Sequence, residues 1–148
     1  MFRCSDCPDA VARIRGGVDA PTLNGEVRFY QERGNVLVVA DISVMPTCGR
    51  TGFFALHIHD GDSCGGEGFA QTGGHYNPKG VDHPYHAGDL PPLMRYCDRA
   101  FMAVRTDRFY VQEVIGKTVV IHDGPDDFHS QPAGNAGMKI ACGVICKK

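Results

Sequence analysis

Histidine is the residue type through which this chain could do chemistry. Six of its seven histidines form one spaced series, His57, His59, His75, His83, His86 and His122, and Asp89 follows His86 at the interval that separates His83 from His86. Six imidazoles and one carboxylate are enough for two metal ions that share a ligand. In FFALHIHD, residues 53–60, apolar residues lead directly into His57-Ile58-His59. Alternate side chains of a strand project to one face, so the two rings would stand about 7 Å apart, two rises of roughly 3.3 Å, which suits two ligands of one metal. A helix would point the pair to nearly opposite sides, and the aromatic and β-branched content also favours a strand. Alone, such a pair reads more readily as two half-exposed polar residues; the remaining histidines decide against that.

The segment GGHYNPKGVDHPYHAGDL, residues 73–90, is too rich in glycine and proline for a regular element and reads as a long ordered loop. His75, His83, His86 and Asp89 could close around a tetrahedral Zn²⁺, and a bound ion would supply the rigidity that such a loop otherwise lacks. In KTVVIHDGPDDF, residues 117–128, a β-branched run delivers His122 to a strand end. Together with His57 and His59 it would make a three-imidazole site. His75 could complete that site by presenting both ring nitrogens, one to each ion. Imidazole-rich, flattened coordination suits Cu(II), which is redox-active where zinc is not.

The elements that must position these residues are strands. Strand-like runs occur at 11–15, 26–31, 35–44, 53–59, 100–106, 118–122 and 139–145, separated by turn residues and without any long 3.6-residue periodicity. The chain therefore reads as all-β, with Asn24-Gly25 and Arg33-Gly34-Asn35 as tight turns and one short helical turn within 108–116. A length of 148 residues, 43% apolar and 22% charged, predicts one globular domain with a real core. Residues 1–9 read as an N-terminal extension and 10–148 as the domain. Apolar runs fall far short of the ~20 residues that cross a bilayer, and a net charge of −2 without a basic stretch excludes membrane and nucleic-acid partners.

At HIH 57–59, GGHYNP 73–78, His83, HAGDL 86–90, VVIHDGPDD 119–127 and GNAGMKIACGVI 134–145, the chain resembles the copper/zinc superoxide dismutases over nearly its whole length. The resemblance is to the bacterial type with a short electrostatic loop. It implies an eight-stranded Greek-key β-barrel or sandwich, immunoglobulin-like in architecture, with long metal-binding loops. It also implies an enzyme that converts superoxide to O₂ and hydrogen peroxide by alternating Cu(II) and Cu(I). Position by position, it implies copper held by His57, His59, His75 and His122, and zinc held by His75, His83, His86 and Asp89, with His75 the shared, catalytically bridging ligand. Asp126 matches the outer carboxylate that hydrogen-bonds one copper and one zinc histidine.

Lys139 stands where many members of this family carry arginine. It keeps the positive charge that would draw in the superoxide anion but loses the planar fork, so a looser geometry is expected. Asp127 reads as serving the loop backbone, and His129 as a surface residue. The resemblance further implies a disulfide between Cys64 and Cys142, leaving Cys4, Cys7, Cys48, Cys97 and Cys146 spare. No apolar segment of a signal peptide opens MFRCSDCPDAVARIR, so the chain reads as either cytoplasmic or an already trimmed exported form, and the spare thiols favour the reducing cytoplasm. A homodimer is the default assembly. Two rivals follow: a zinc hydrolase, which the full zinc sphere disfavours, and a copper or zinc carrier without turnover whose Cys4-Ser5-Asp6-Cys7 captures metal.

Overall fold

The structure is a computed structural model and describes residues 7–46 and 51–148. Cys4 and Cys48 lie outside the described residues. Nine strands are described: β1 Ala10–Gly16, β2 Asn24–Glu32, β3 Asn35–Ser43, β4 Phe53–Phe54, β5 Leu56–His59, β6 Leu93–Tyr96, β7 Arg99–Thr106, β8 Thr118–His122 and β9 Lys139–Lys147. They form one antiparallel sheet in the order β4-β6-β7-β3-β2-β1-β9-β8-β5. The β3–β7 and β1–β9 neighbours are distant in sequence, as a Greek key requires.

Only Ala55 separates β4 from β5, yet these two occupy opposite ends of the sheet order. The run 53–59 therefore begins against β6 and finishes against β8, which rolls the sheet into a nearly closed barrel. At the switch, the Ala55 N–H donates to Gly124 O at 2.9 Å and Ala55 O accepts from the His122 N–H at 3.0 Å. Counted as one run, β4 and β5 bring the strands to the eight expected. Near-closure limits the free edges that would otherwise invite pairing with another chain.

Strand alternation decides what fills the barrel. Ala12 and Ile14 of β1 face inward while Arg13 and Arg15 are exposed, and Leu56 and Ile58 of β5, with Val119 and Ile121 of β8, join the same core. Burying side chains of this size stabilises by about 1.5–3 kcal/mol each. Arg33-Gly34 forms the β2–β3 hairpin turn, with Gly34 at φ 81°. The short helical turn lies at α1, Val111–Val114.

Asn24-Gly25 is not a turn. Both residues lie in β2, where Asn24 pairs with Ser43 and Gly25 with Ile42, and a Cβ on Gly25 would come within 2.4 Å of Asp41 O. The glycine there serves close backbone approach rather than chain reversal. Two further elements escape sequence patterning. Strand β6 is only four residues long, and the 3₁₀ turns at Glu67–Thr72 are broken by left-handed Gly68 and Phe69.

Candidate metal centre

The two histidines of β5 lie on its outer face, opposite the core residues Leu56 and Ile58, with ring centroids 6.4 Å apart. All four β5 residues are nevertheless buried, because the 73–90 loop packs along the strand. The Ile58 N–H donates to Gly88 O at 2.9 Å, and Ile58 O accepts from the Tyr76 N–H at 2.8 Å. Isolated bridges thereby pair His57 with Asp89 and His59 with His75. Gly88 is obligatory, since a Cβ there would lie 2.2 Å from Ile58 O. The fourth ring arrives from β8, where a register irregularity between Ile121 and His122 breaks the ladder at the strand end. The extra residue, Ile140, belongs to β9, so the partner strand bulges opposite the His122 end of β8.

Each ring has one nitrogen engaged and one bare. The Nδ1–H of His59 donates to Gly73 O at 2.8 Å and that of His122 to Gly137 O at 3.3 Å. The Nε2–H of His57 donates to Asp126 Oδ2, and the Nε2–H of His83 to Asp126 Oδ1, both at 2.8 Å. These acceptors settle the tautomers, because a carbonyl or an ionised carboxylate can only accept. What remains is His57 Nδ1, His59 Nε2, His75 Nε2 and His122 Nε2, all buried and without a hydrogen-bond partner. One donor atom from each of these four rings lies within 4.8 Å of the other three. Converging, unpartnered lone pairs in a dry site are unfavourable by themselves and are satisfied by a cation.

A second group shares His75. His75 Nδ1 lies 2.7 Å from Asp89 Oδ1, while His83 Nδ1 and His86 Nδ1 lie 3.0 and 3.2 Å from Asp89 Oδ2. The 3.0 Å contact is not a hydrogen bond, since His83 Nδ1 has no hydrogen-bond partner, and with Nε2–H given to Asp126 the neutral ring would turn a lone pair toward a carboxylate. A cation between them would turn that opposition into two ligand contacts. The donor atoms of His75, His83, His86 and Asp89 again lie within 4.8 Å of one another.

Burial keeps three rings of the first group, those of His57, His59 and His122, deprotonated. Burial depresses His59 to about 2 and His122 to about 3, and it also lowers His57 against the opposing pull of Asp126. Burial alone would raise Asp126, but hydrogen bonds from His57, His83 and the Phe128 N–H hold it at about 2. Asp89 is likewise held below the usual carboxylate range, the neighbouring imidazoles outweighing its burial.

Lys139, at the start of β9, donates from Nζ to Thr72 Oγ1 at 2.8 Å and to Gly73 O at 3.2 Å, and burial lowers its pKa. Gly73 O therefore serves both Lys139 and His59. The ammonium is held at two points, a tighter arrangement than a flexible lysine stem suggests. Thr72 was not singled out by sequence; being neither ionisable nor a metal ligand, it carries no local signal. Asp127 accepts from the backbone of His129 and Ser130, and the His129 ring is 80% exposed. Gly134 and Gly137 also matter: a Cβ on either would come within 2.0 Å of a carboxylate oxygen, of Asp126 and Asp123 respectively. The GNAG spacing is the signal that could have found them.

Cys64 and Cys142 form a disulfide, with Cα atoms 5.8 Å apart, that ties the 60–72 segment to β9. Among the described residues, Cys7, Cys97 and Cys146 are free and exposed.

Comparison with known proteins agrees with this geometry. Residues 23–145 match the family model described as copper/zinc superoxide dismutase. Superoxide dismutase [Cu-Zn] 2 of Aquifex aeolicus is 33% identical over 82% of this chain and 78% of its own length. The superoxide dismutase [Cu-Zn] of Legionella pneumophila is 33% identical over 93% of this chain and 86% of its own. That of Schizosaccharomyces pombe is 34% identical, covering 92% and 96%. Two donor groups that fit copper and zinc, on a nearly closed Greek-key barrel matched over most of its length, leave one assignment: the chain belongs to the copper/zinc superoxide dismutases, an oxidoreductase family.

Proposed function

We propose that the protein disproportionates superoxide, two superoxide ions and two protons giving O₂ and hydrogen peroxide. His57, His59, His75 and His122 hold copper, and His75, His83, His86 and Asp89 hold zinc. Bound copper supplies a one-electron Cu(II)/Cu(I) couple, and bound zinc a fixed charge in a closed four-ligand site. The observation that carries this reading is the set of four buried, unpartnered ring nitrogens, each set by a hydrogen bond at the far side of its ring wherever a protein acceptor is available.

The chain's own residues divide the remaining work. Lys139 presents a localised ammonium near the rings of His59 and His122, whose imidazoles feel its charge, and attracts an anion that the net charge of −2 would repel. His75 Nε2, in the copper group while Nδ1 faces Asp89, is the atom at which a proton for the product is held. Asp126 spans the two groups and keeps His57 and His83 in their ligand tautomers.

The test is superoxide decay, followed spectroscopically, with protein reconstituted with both metals. Rapid decay is expected, and in His122→Ala both copper occupancy and turnover should collapse while zinc is retained. Full metal loading without turnover would overturn the enzyme reading in favour of a metal carrier. Turnover surviving in His122→Ala would overturn the ligand assignment.

A further inference from the structure

We infer that Arg108 and Gln131, both outside the 73–90 loop, are positioning residues that hold the zinc ligands in place before zinc arrives. The inference rests on the zinc assignment just proposed. Three of those ligands, His83, His86 and Asp89, lie in the stretch 82–89, whose internal backbone bonds are Tyr85 N–H to Asp82 O and Asp89 N–H to His86 O, with only Gly88 tied outward, to Tyr76 and Ile58. A loop of this composition would otherwise lose considerable backbone entropy on closing around an ion, roughly 1–2 kcal/mol per residue ordered.

Two side chains from elsewhere do that ordering. Arg108 follows β7 and precedes Phe109, which is buried in the core, and its own N–H is held by Thr106 Oγ1 at 3.2 Å. From that base its Nη1 reaches Pro84 O at 2.9 Å, His86 O at 3.1 Å and Asp89 O at 3.4 Å. The two hydrogens on that nitrogen are taken by the nearer carbonyls, and the third shares. Gln131 grips His83 from the other side: Oε1 accepts the His83 N–H at 2.9 Å and Nε2 donates to His83 O at 2.8 Å. Its Nε2 also donates to His129 O at 3.2 Å, so the grip belongs to the 122–134 loop. The backbones of His83, His86 and Asp89 are therefore each fixed by a side chain from a different part of the chain. The remaining ligand, His75, is set by its bridge to His59 on β5.

The geometry separates this role from general support. Apart from Pro84 O and His129 O, the groups engaged are main-chain groups of the zinc ligands themselves, and none belongs to a copper ligand held only by the barrel. Fixing them lowers the ordering cost of zinc binding without touching the copper nitrogens of β5 and β8. All three contacts come from one nitrogen, Nη1, so a lysine ammonium could address the same carbonyls, but from a more flexible stem and with its hydrogens less fixed in direction.

The experiment is chelator competition for zinc on the metal-loaded protein, with copper followed by its visible absorption and the metal-free urea midpoint measured alongside. In Arg108→Met and Gln131→Leu, the zinc Kd should rise roughly 10- to 100-fold, the range typical of lost outer-shell partners, while copper affinity changes little. Arg108→Lys should restore only part of the loss. An unchanged zinc Kd in both Arg108→Met and Gln131→Leu would overturn the proposal. So would parallel weakening of both metals in step with the urea midpoint, the signature of mere destabilisation. His86→Ala is the control: if it leaves zinc affinity intact, the zinc assignment itself fails, whereas loss there with wild-type behaviour in Arg108→Met and Gln131→Leu sinks the positioning role alone.

Discussion

An imidazole can donate to a metal only through the nitrogen that carries no proton, so each ligand histidine depends on what holds its other nitrogen. Here carbonyls of Gly73 and Gly137 and the carboxylate of Asp126 do so, and burial keeps the rings neutral. A pH dependence follows for the metal-free protein. In the unfolded chain a histidine takes its proton near 6.5, whereas folded His59 and His122 resist protonation to about 2 and about 3. Between those limits the unfolded state binds more protons, so stability rises with pH up to about 6.5 and is lost on acidification below it. Each histidine contributes on the order of 1 kcal/mol per pH unit in that window. Urea midpoints of the metal-free protein at pH 7.5 and pH 5 should therefore fall clearly with acid, and equal midpoints would contradict the buried, neutral state of these rings. The histidines and Asp89 were legible as candidate ligands from type and spacing. Thr72, Arg108 and Gln131 were not, because their importance lies in whom they touch and nothing about their neighbours in sequence announces it.

At the scale of elements, β5 does two tasks that ordinarily conflict. One face supplies Leu56 and Ile58 to the barrel core, while the other supplies His57 and His59 to the metal centre. The conflict is resolved by the 73–90 loop, which covers the second face and pairs with the strand's free edge through Gly88 and Tyr76. Gly88→Ala would drive a Cβ toward Ile58 O, 2.2 Å away, and must push the loop off the strand. We expect a cost of about 1–3 kcal/mol, as for other overpacked sites. Hydrogen exchange of the Ile58 and Tyr76 amides should accelerate; unchanged protection would mean that the loop does not seal the edge. The strand was legible because apolar and histidine residues alternate with period two. Asn24-Gly25 misled, since the same dipeptide serves a turn or a close strand approach, and only the neighbouring β3 decides between them.

For the molecule as a whole, closure is the organising fact. The run 53–59 joins the two ends of the sheet, and the Cys64–Cys142 disulfide ties the segment after β5 to β9 across 78 residues. In the chain-entropy model a loop of that size is worth about 4–5 kcal/mol, and measured losses on removal run to about 2–5 kcal/mol. The Cys64→Ser/Cys142→Ser protein should show a loss in that range by urea unfolding under non-reducing conditions, and an unchanged midpoint would mean that the bond constrains nothing. The sequence by itself determined the all-β class, seven of the strand runs, the donor set and the family to which its motifs point, because periodicity and residue chemistry are local properties. Only the tertiary structure decided that one strand run closes the barrel and that the β8–β9 ladder slips at His122. It alone also decided which nitrogen of each ring is free and which distant side chains hold the loop. Those outcomes depend on contacts between residues far apart in the chain, and such contacts exist only once the sheet has closed.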